Sequence, residues 1–170
     1  MDGKTALFPV QTFDLNSEDG IAALFALHKT RKPETKIQSE LGIHGIFSVR
    51  SADDIRKIME TYERVATRIS VFEIRFMNDV QTKGFVPISA KKRNIEIVLS
   101  GASDKEIDVT GISFVFTANS IHVHHLKWGD MGIKMALTLD VRDSLKLEHL
   151  TFSDNRYDAY YEQIAEPRVM

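Results

Sequence analysis

A chain of 170 residues that is 43% hydrophobic and 27% charged is long enough for one domain and too apolar to belong with disordered chains. About two thirds of the surface exposed by an unfolded chain of this length can be buried on folding, so a core forms without staples. The absence of Cys excludes disulfides, thiolate metal sites and a cysteine nucleophile, and a formal net charge of −2 argues against sequence-blind nucleic-acid binding by the whole surface.

The opening MDGKTALFPVQTFDLNSEDG has no basic segment followed by a long apolar one, and no apolar run approaches the roughly 20 residues that span a bilayer. A soluble, unprocessed protein is expected. No period of roughly 20 to 50 residues repeats along the chain.

Taken in chain order, SEDGIAALFALH at 17–28 begins with Ser and acids and sets Ile21, Leu24, Phe25 and His28 on one helical face. The following TRKPETK is basic and broken by Pro33, a loop or arm. GIHGIFSVR at 42–50 reads as a strand with Ile43, Gly45, Phe47 and Val49 on one side. The strongest helix starts at Ser51, where Asp54 completes a capping-box-like start. Ile55, Ile58, Met59, Tyr62, Val65, Ala66 and Ile69 then recur at three- and four-residue spacing. Its other face carries Arg56, Lys57, Glu60, Glu63, Arg64 and Arg68, with Glu60 and Arg64 spaced for a helical ion pair.

From Ile69 the period becomes two: Phe72, Ile74 and Phe76 oppose Val71, Glu73 and Arg75, and strand-like runs follow. Gly84, Gly101, Asp104, Asn119 and Gly129-Asp130 supply turn chemistry between them. Ile133, Met135, Leu137, Leu139 and Val141 alternate with polar residues, which predicts a core strand bent back in a hairpin onto the histidine-bearing strand before Trp128. Asp154 caps a last predicted helix with Tyr157, Tyr160, Tyr161 and Ile164, stopped by Pro167. The predicted fold is α+β: a largely antiparallel sheet with one main amphipathic helix packed on it and short flanking helices. Residues 1–41 form an N-terminal arm with a short helix and basic loop, and residues 42–170 the core domain.

His122 and His124 share one side of their strand, as two metal ligands would, but no third ligand stands at a recognised spacing. No cofactor is expected. The alternative is a pH-sensitive histidine face, since neighbouring histidines disfavour double protonation. No phosphate-binding glycine loop, nucleophile elbow or HExxH helix occurs, and no enzymatic activity is expected. Two basic clusters, Lys29, Arg31, Lys32 and Lys36 around Pro33 and then Lys91, Lys92 and Arg93, suit either solvated loops or an anionic partner such as phosphates or lipid headgroups.

A strand ending in SVRS, the helix DDIRKIMETYERVATR, further strands and the late strand GIKMALTLDVRDSLKLE before a terminal helix resemble the core of rhabdovirus matrix proteins. The likeness spans residues 42–165, and the length is similar to that of the shorter, plant-infecting (cytorhabdovirus-like) members. It implies a non-enzymatic structural protein of virion and host cytoplasm, peripheral to membrane, that self-associates, condenses the viral nucleocapsid and links it to the envelope. Self-association would then use Leu7, Phe8, Pro9 and Val10, and nucleocapsid or lipid contact the two basic clusters. The chain departs from animal-infecting members in its nearly neutral MDGKTALFPV and in lacking a PPxY string. The run IHVHHLKWGDMGIKMALTLDVR is also similar to the β-rich core of plant-virus movement proteins, which bind nucleic acid. A small α+β binding or immunity module is the third expectation.

Overall fold

The computed structural model describes residues 10–30, 42–90, 93–132, 134–153 and 159–163. Strand β1 (Val10–Asp14) leads through helix α1 (Glu18–Thr30) to β2 (Gly42–Val49), and helix α2 (Ala52–Val65) with a 3-10 turn (Ala66–Arg68) leads to β3 (Val71–Phe76). Then come β4 (Gly84–Ser89), β5 (Glu96–Gly101), β6 (Ile107–Asp108), the long β7 (Ile112–Trp128), the long β8 (Leu137–Phe152) and β9 (Ala159–Gln163).

The predicted antiparallel sheet is overturned: every strand pairing among the described residues is parallel. Strand β7 pairs with three earlier strands along its length, β4 at Ile112–Thr117, β5 at Ser120–His124 and β6 at Leu126–Lys127. Strand β8 then repeats the path of β7 from Phe114↔Leu137 to Trp128↔Phe152. A straight strand of 17 residues would be about 55 Å long. The connection 129–136 reaches about 30 Å at most, yet it returns the chain from Trp128 to the neighbour of Phe114. Strand β7 must therefore wind round the molecular axis, and the C-terminal half is a three-sided coil of parallel strands.

One side is the long sheet β1-β2-β3-β5, continued by the middles of β7 and β8. The second comprises β4, the starts of β7 and β8, and β9; the third comprises β6 with the ends of β7 and β8. In the N-terminal half, α1 and α2 supply the return paths that strands supply later, as ordinary β-α-β crossovers.

Alternation puts one set of side chains inside. Phe47, Val49, Phe72, Ile74, Phe76, Ile97, Leu99, Ile121 and Val123 are buried along the long sheet, and Phe114, Phe116, Leu137 and Leu139 along the second side. Rings pack edge to face across the coil, Phe76 on Phe114 at 5.9 Å and Tyr62 on Phe72 at 5.1 Å. Trp128 crosses the interior, donating its indole N–H to the Ile112 carbonyl at 2.9 Å and stacking on Phe152 at 5.2 Å.

Helix α1 starts where Ser17 Oγ accepts from the Gly20 amide at 3.0 Å. Helix α2 follows Ser51, but the serine side chain makes no cap bond; the Asp54 carboxylate instead accepts from the Arg50 amide at 2.8 Å. The predicted Glu60–Arg64 pair gives way to a bidentate one: Arg64 donates to Glu18 of α1 at 3.0 and 3.2 Å, tying the two helices together at the surface.

The predicted hairpin is also overturned, because β7 and β8 run in the same direction. Leu137, Leu139 and Val141 are buried as expected, whereas Ile133 lies outside the described residues. The predicted terminal helix is strand β9 over Ala159–Gln163, paired with Leu137–Val141; Tyr157 and Ile164 lie outside the described residues. Edge pairing with β8 outweighs the helical spacing of the tyrosines.

At one corner Gly101, His125 and His149 stack in successive coils. His125 and His149 have positive φ of 59° and 51°, and a Cβ on Gly101 would lie 2.0 Å from the His125 carbonyl oxygen. Gly101→Ala is therefore expected to destabilise the fold by about 3 kcal/mol or more, read by urea unfolding. Unchanged stability in that variant would mean that the corner is not packed as described.

Candidate functional site on the outer face and ends of the long sheet

Because the strands are parallel and in register, outward side chains line up in rows across the long sheet. Ile46, Glu73, Val98, His122 and Lys146 form one row; Ser48, Arg75, Ser100, His124 and Glu148 form the next. These rows bring together residues scattered over a hundred positions of sequence.

Glu73 is their centre. Flanked by Ile46 and Val98 on the adjacent strands, it is only 5% exposed. Such a carboxylate is tolerated only with its lone pairs filled. His44 Nε2 donates to Oε1 at 2.8 Å, and Ser100 Oγ at 2.5 Å and Arg75 Nε at 3.0 Å donate to Oε2. Burial pushes the Glu73 carboxyl upward, but the three hydrogen bonds and the Arg75 charge outweigh it and hold the group at about 2. A carboxylate held so low is a poor proton carrier near neutrality. Ser100 gives its proton to Glu73 rather than to a histidine, so its oxygen is not set up for attack.

Beyond Ser100 lies a run of four histidines in mutual contact. The rings of His122 and His124 are 4.6 Å apart, His124 Nδ1 and His125 Nδ1 share a hydrogen bond at 2.9 Å, and His125 stacks on His149 at 4.5 Å. The sequence placed His122 and His124 together; the coil adds the other two, since His125 and His149 occupy equivalent corners of successive turns. His122 Nε2 is engaged by Glu148 Oε1 at 2.9 Å. Burial, then the neighbouring His122 and His125, lower the pKa of His124. Among the described residues no group of three His, Asp or Glu is arranged to hold a metal ion.

Of the residues expected to mediate self-association, Leu7, Phe8 and Pro9 lie outside the described residues, and Val10 opens β1 beside Gly42. Among the basic residues, Arg31, Lys32, Lys36, Lys91 and Lys92 also lie outside them, and Lys29 belongs to the last turn of α1. Arg93 is tied to its own fold: its guanidinium sits 5.8 Å over the Tyr62 ring and donates to the Tyr62 hydroxyl at 3.3 Å. Sequence reasoning missed His44, Glu73, Ser100 and Glu148 as a group. A lone acid at an outward strand position between apolar neighbours was the available signal, but only the parallel register shows its partners.

The ends of the sheet are the second feature. Among the described residues, no strand pairs with the outer edge of β1 or with Ser144–Glu148 of β8. The apolar interior also reaches these ends incompletely covered: Phe13 at one end and Leu145, Leu147, Leu150 and Phe152 at the other are only partly buried.

The Glu73 network predicts an acid-labile increment of stability. Its folded pKa lies below the unfolded value of 4.5, so the increment is complete above about 4.5 and is lost as pH falls towards about 2. Urea unfolding across that window should show a loss of about 3 kcal/mol in the native sequence. Glu73→Gln should flatten that dependence and lower stability at neutral pH by about 1 to 3 kcal/mol. An equally steep acid dependence in Glu73→Gln would rule out this role.

Comparison with protein-family models, with curated proteins and with solved structures finds no match to this chain.

Proposed function

We propose that the protein is a non-enzymatic structural element that assembles end to end with copies of itself. The observation that carries this reading is the pair of sheet edges left open among the described residues, β1 at one end of the long sheet and Ser144–Glu148 of β8 at the other, both with the same strand direction. A β8 edge laid against the β1 edge of a second copy continues the sheet in its own parallel sense, and the contact is head to tail, so it repeats without closing. Solenoid ends without a polar cap associate in this way, since each stacked copy completes the core of the next.

The driving force is burial of the half-covered Leu145, Leu147, Leu150 and Phe152 against Phe13 and its neighbours, about 1 kcal/mol per large side chain. Lys146 and Glu148 on the β8 edge and Asp14 on the β1 edge are exposed, and mixed charge of this kind sets register rather than affinity. Glu73, by contrast, is already filled by its own neighbours, which favours a structural over a catalytic role for the outer face.

The narrower form of the reading is a matrix protein that lies between a viral nucleocapsid and an anionic membrane, as the resemblance implies. That form rests on the resemblance and on the basic residues Lys29, Arg31, Lys32, Lys36, Lys91 and Lys92. The helix after SVRS agrees with it, whereas the strand at Ala159–Gln163 stands where the resemblance places a terminal helix.

Sedimentation and light scattering at neutral pH should show particles that grow with concentration without a fixed stoichiometry. Leu145→Lys with Leu147→Lys should reduce association at least tenfold while leaving circular dichroism unchanged. A monomer at all accessible concentrations would refute end-to-end assembly. For the narrower form, flotation with phosphatidylserine vesicles should fall as salt rises and be lost when Lys29, Arg31, Lys32 and Lys36 become Glu. Vesicle binding indifferent to those changes would remove the membrane role.

A further inference from the structure

The four-histidine run joins the last two turns of the coil. His122, His124 and His125 belong to β7; Glu148 and His149 belong to β8, whose stretch Ser144–Glu148 has no strand on its outer side among the described residues. Two of the four, His125 and His149, occupy left-handed backbone positions that cost a non-glycine residue about 1 kcal/mol each and that Asn or Gly would fill more easily. An imidazole occupies both positions, each stacked on the other.

The charges around the run decide what protonation does. From β3 come Glu73 and Arg75, from β2 His44, from β7 the histidines themselves, and from β8 Lys146, Glu148 and His149. Glu73 is already engaged by His44 and Arg75. Among the described residues Glu148 is the carboxylate hydrogen-bonded to the run, while Glu96 of β5 lies one outward row away and Glu106 is hydrogen-bonded to Thr151. Protonation of the run is therefore offset at close range by Glu148 alone, with Lys146 adding a further cation. Rings 4.5 to 5.1 Å apart then repel, and the contact between β7 and β8 is where that repulsion is released.

We propose that the histidine run is a pH-operated latch: protonation lifts residues 144–152 of β8 from β7 and so removes the edge on which a second copy stacks. The part concerning stacking rests on the end-to-end assembly proposed above; the opening of the coil does not. The sign follows from His124, whose neutral form the fold favours. Its stabilising contribution is complete above the unfolded value of 6.5 and is lost as pH falls through the lower folded value. That window opens at 6.5, above the 4.5 at which the one governed by Glu73 opens.

The single tryptophan makes the latch measurable, since Trp128 is fully buried and its ring lies flat against Phe152 of the segment that would lift. In a dilute sample, Trp128 emission should move to longer wavelength, reversibly, between about pH 7 and pH 5, with most far-ultraviolet circular dichroism retained. A variant with His122→Gln, His124→Gln, His125→Asn and His149→Asn should show no such shift, Asn being chosen because it accepts the left-handed backbone. Should this variant fail to fold, His125→Asn with His149→Asn alone should move the midpoint to lower pH. Light scattering run in parallel should report disassembly over the same pH range in the native sequence only. Constant emission in the native protein overturns the latch, as does an identical transition in the quadruple or the double variant. Absence of particles at neutral pH overturns the stacking and leaves the emission shift to decide the coil.

Discussion

Parallel neighbours in a sheet must be joined by a return path, because a tight turn delivers the next strand in the opposite direction. Every other feature of this protein follows from how its chain makes that return. Between β1, β2 and β3 the return is helical, and α1 and α2 lie against the apolar face of the strands they connect. After β3 no helix intervenes among the described residues, and the chain returns by bending its own strands round the core. The corners at Asn119 and at His125 divide β7 into three pieces that face three different neighbours. The absence of room for a Cβ at Gly101, the positive φ at His125 and His149 and the buried Trp128 are consequences of that bending.

The same constraint explains what was legible in the sequence. Which residues face inward was readable almost throughout: Phe72, Ile74, Phe76, Leu137, Leu139 and Val141 are buried where period two placed them, and α2 begins directly after Ser51. Strand direction was not readable. A coil has one face in and one face out, so its parallel strands carry the alternation usually associated with antiparallel sheets, while most all-parallel sheets are buried on both faces and read as continuous apolar runs. Turn residues such as Gly101 and Asn119 mark corners here rather than hairpins. The coils also recur at unequal intervals, Gly84 to Ile112 and then Phe114 to Leu137 to Ala159, which hides the repeat.

Direction also decides the site. In the predicted hairpin, His122 and His124 would have been a pair on a solvated strand. In the parallel coil they stand in register with Val98 and Ser100 on one side and with Lys146 and Glu148 on the other. The outer face thereby becomes two connected chemical regions, a carboxylate held ionised by His44, Ser100 and Arg75, and a histidine run that spans two turns. A stack of parallel turns also has two unlike ends, and this unlikeness links the fold to assembly: the two edges can meet each other in the sense that extends the sheet.

The parallel register of β7 and β8 is the claim on which coil, site and assembly all depend, and the lack of cysteine in the chain makes it directly testable by cross-linking. Lys127 and Thr151 are exposed partners in adjacent turns. Cysteines introduced together as Lys127→Cys and Thr151→Cys should form an intramolecular disulfide on mild oxidation, whereas Lys127→Cys with Lys134→Cys should not. Efficient bridging of residues 127 and 134, with none between 127 and 151, would restore the hairpin and contradict the coil.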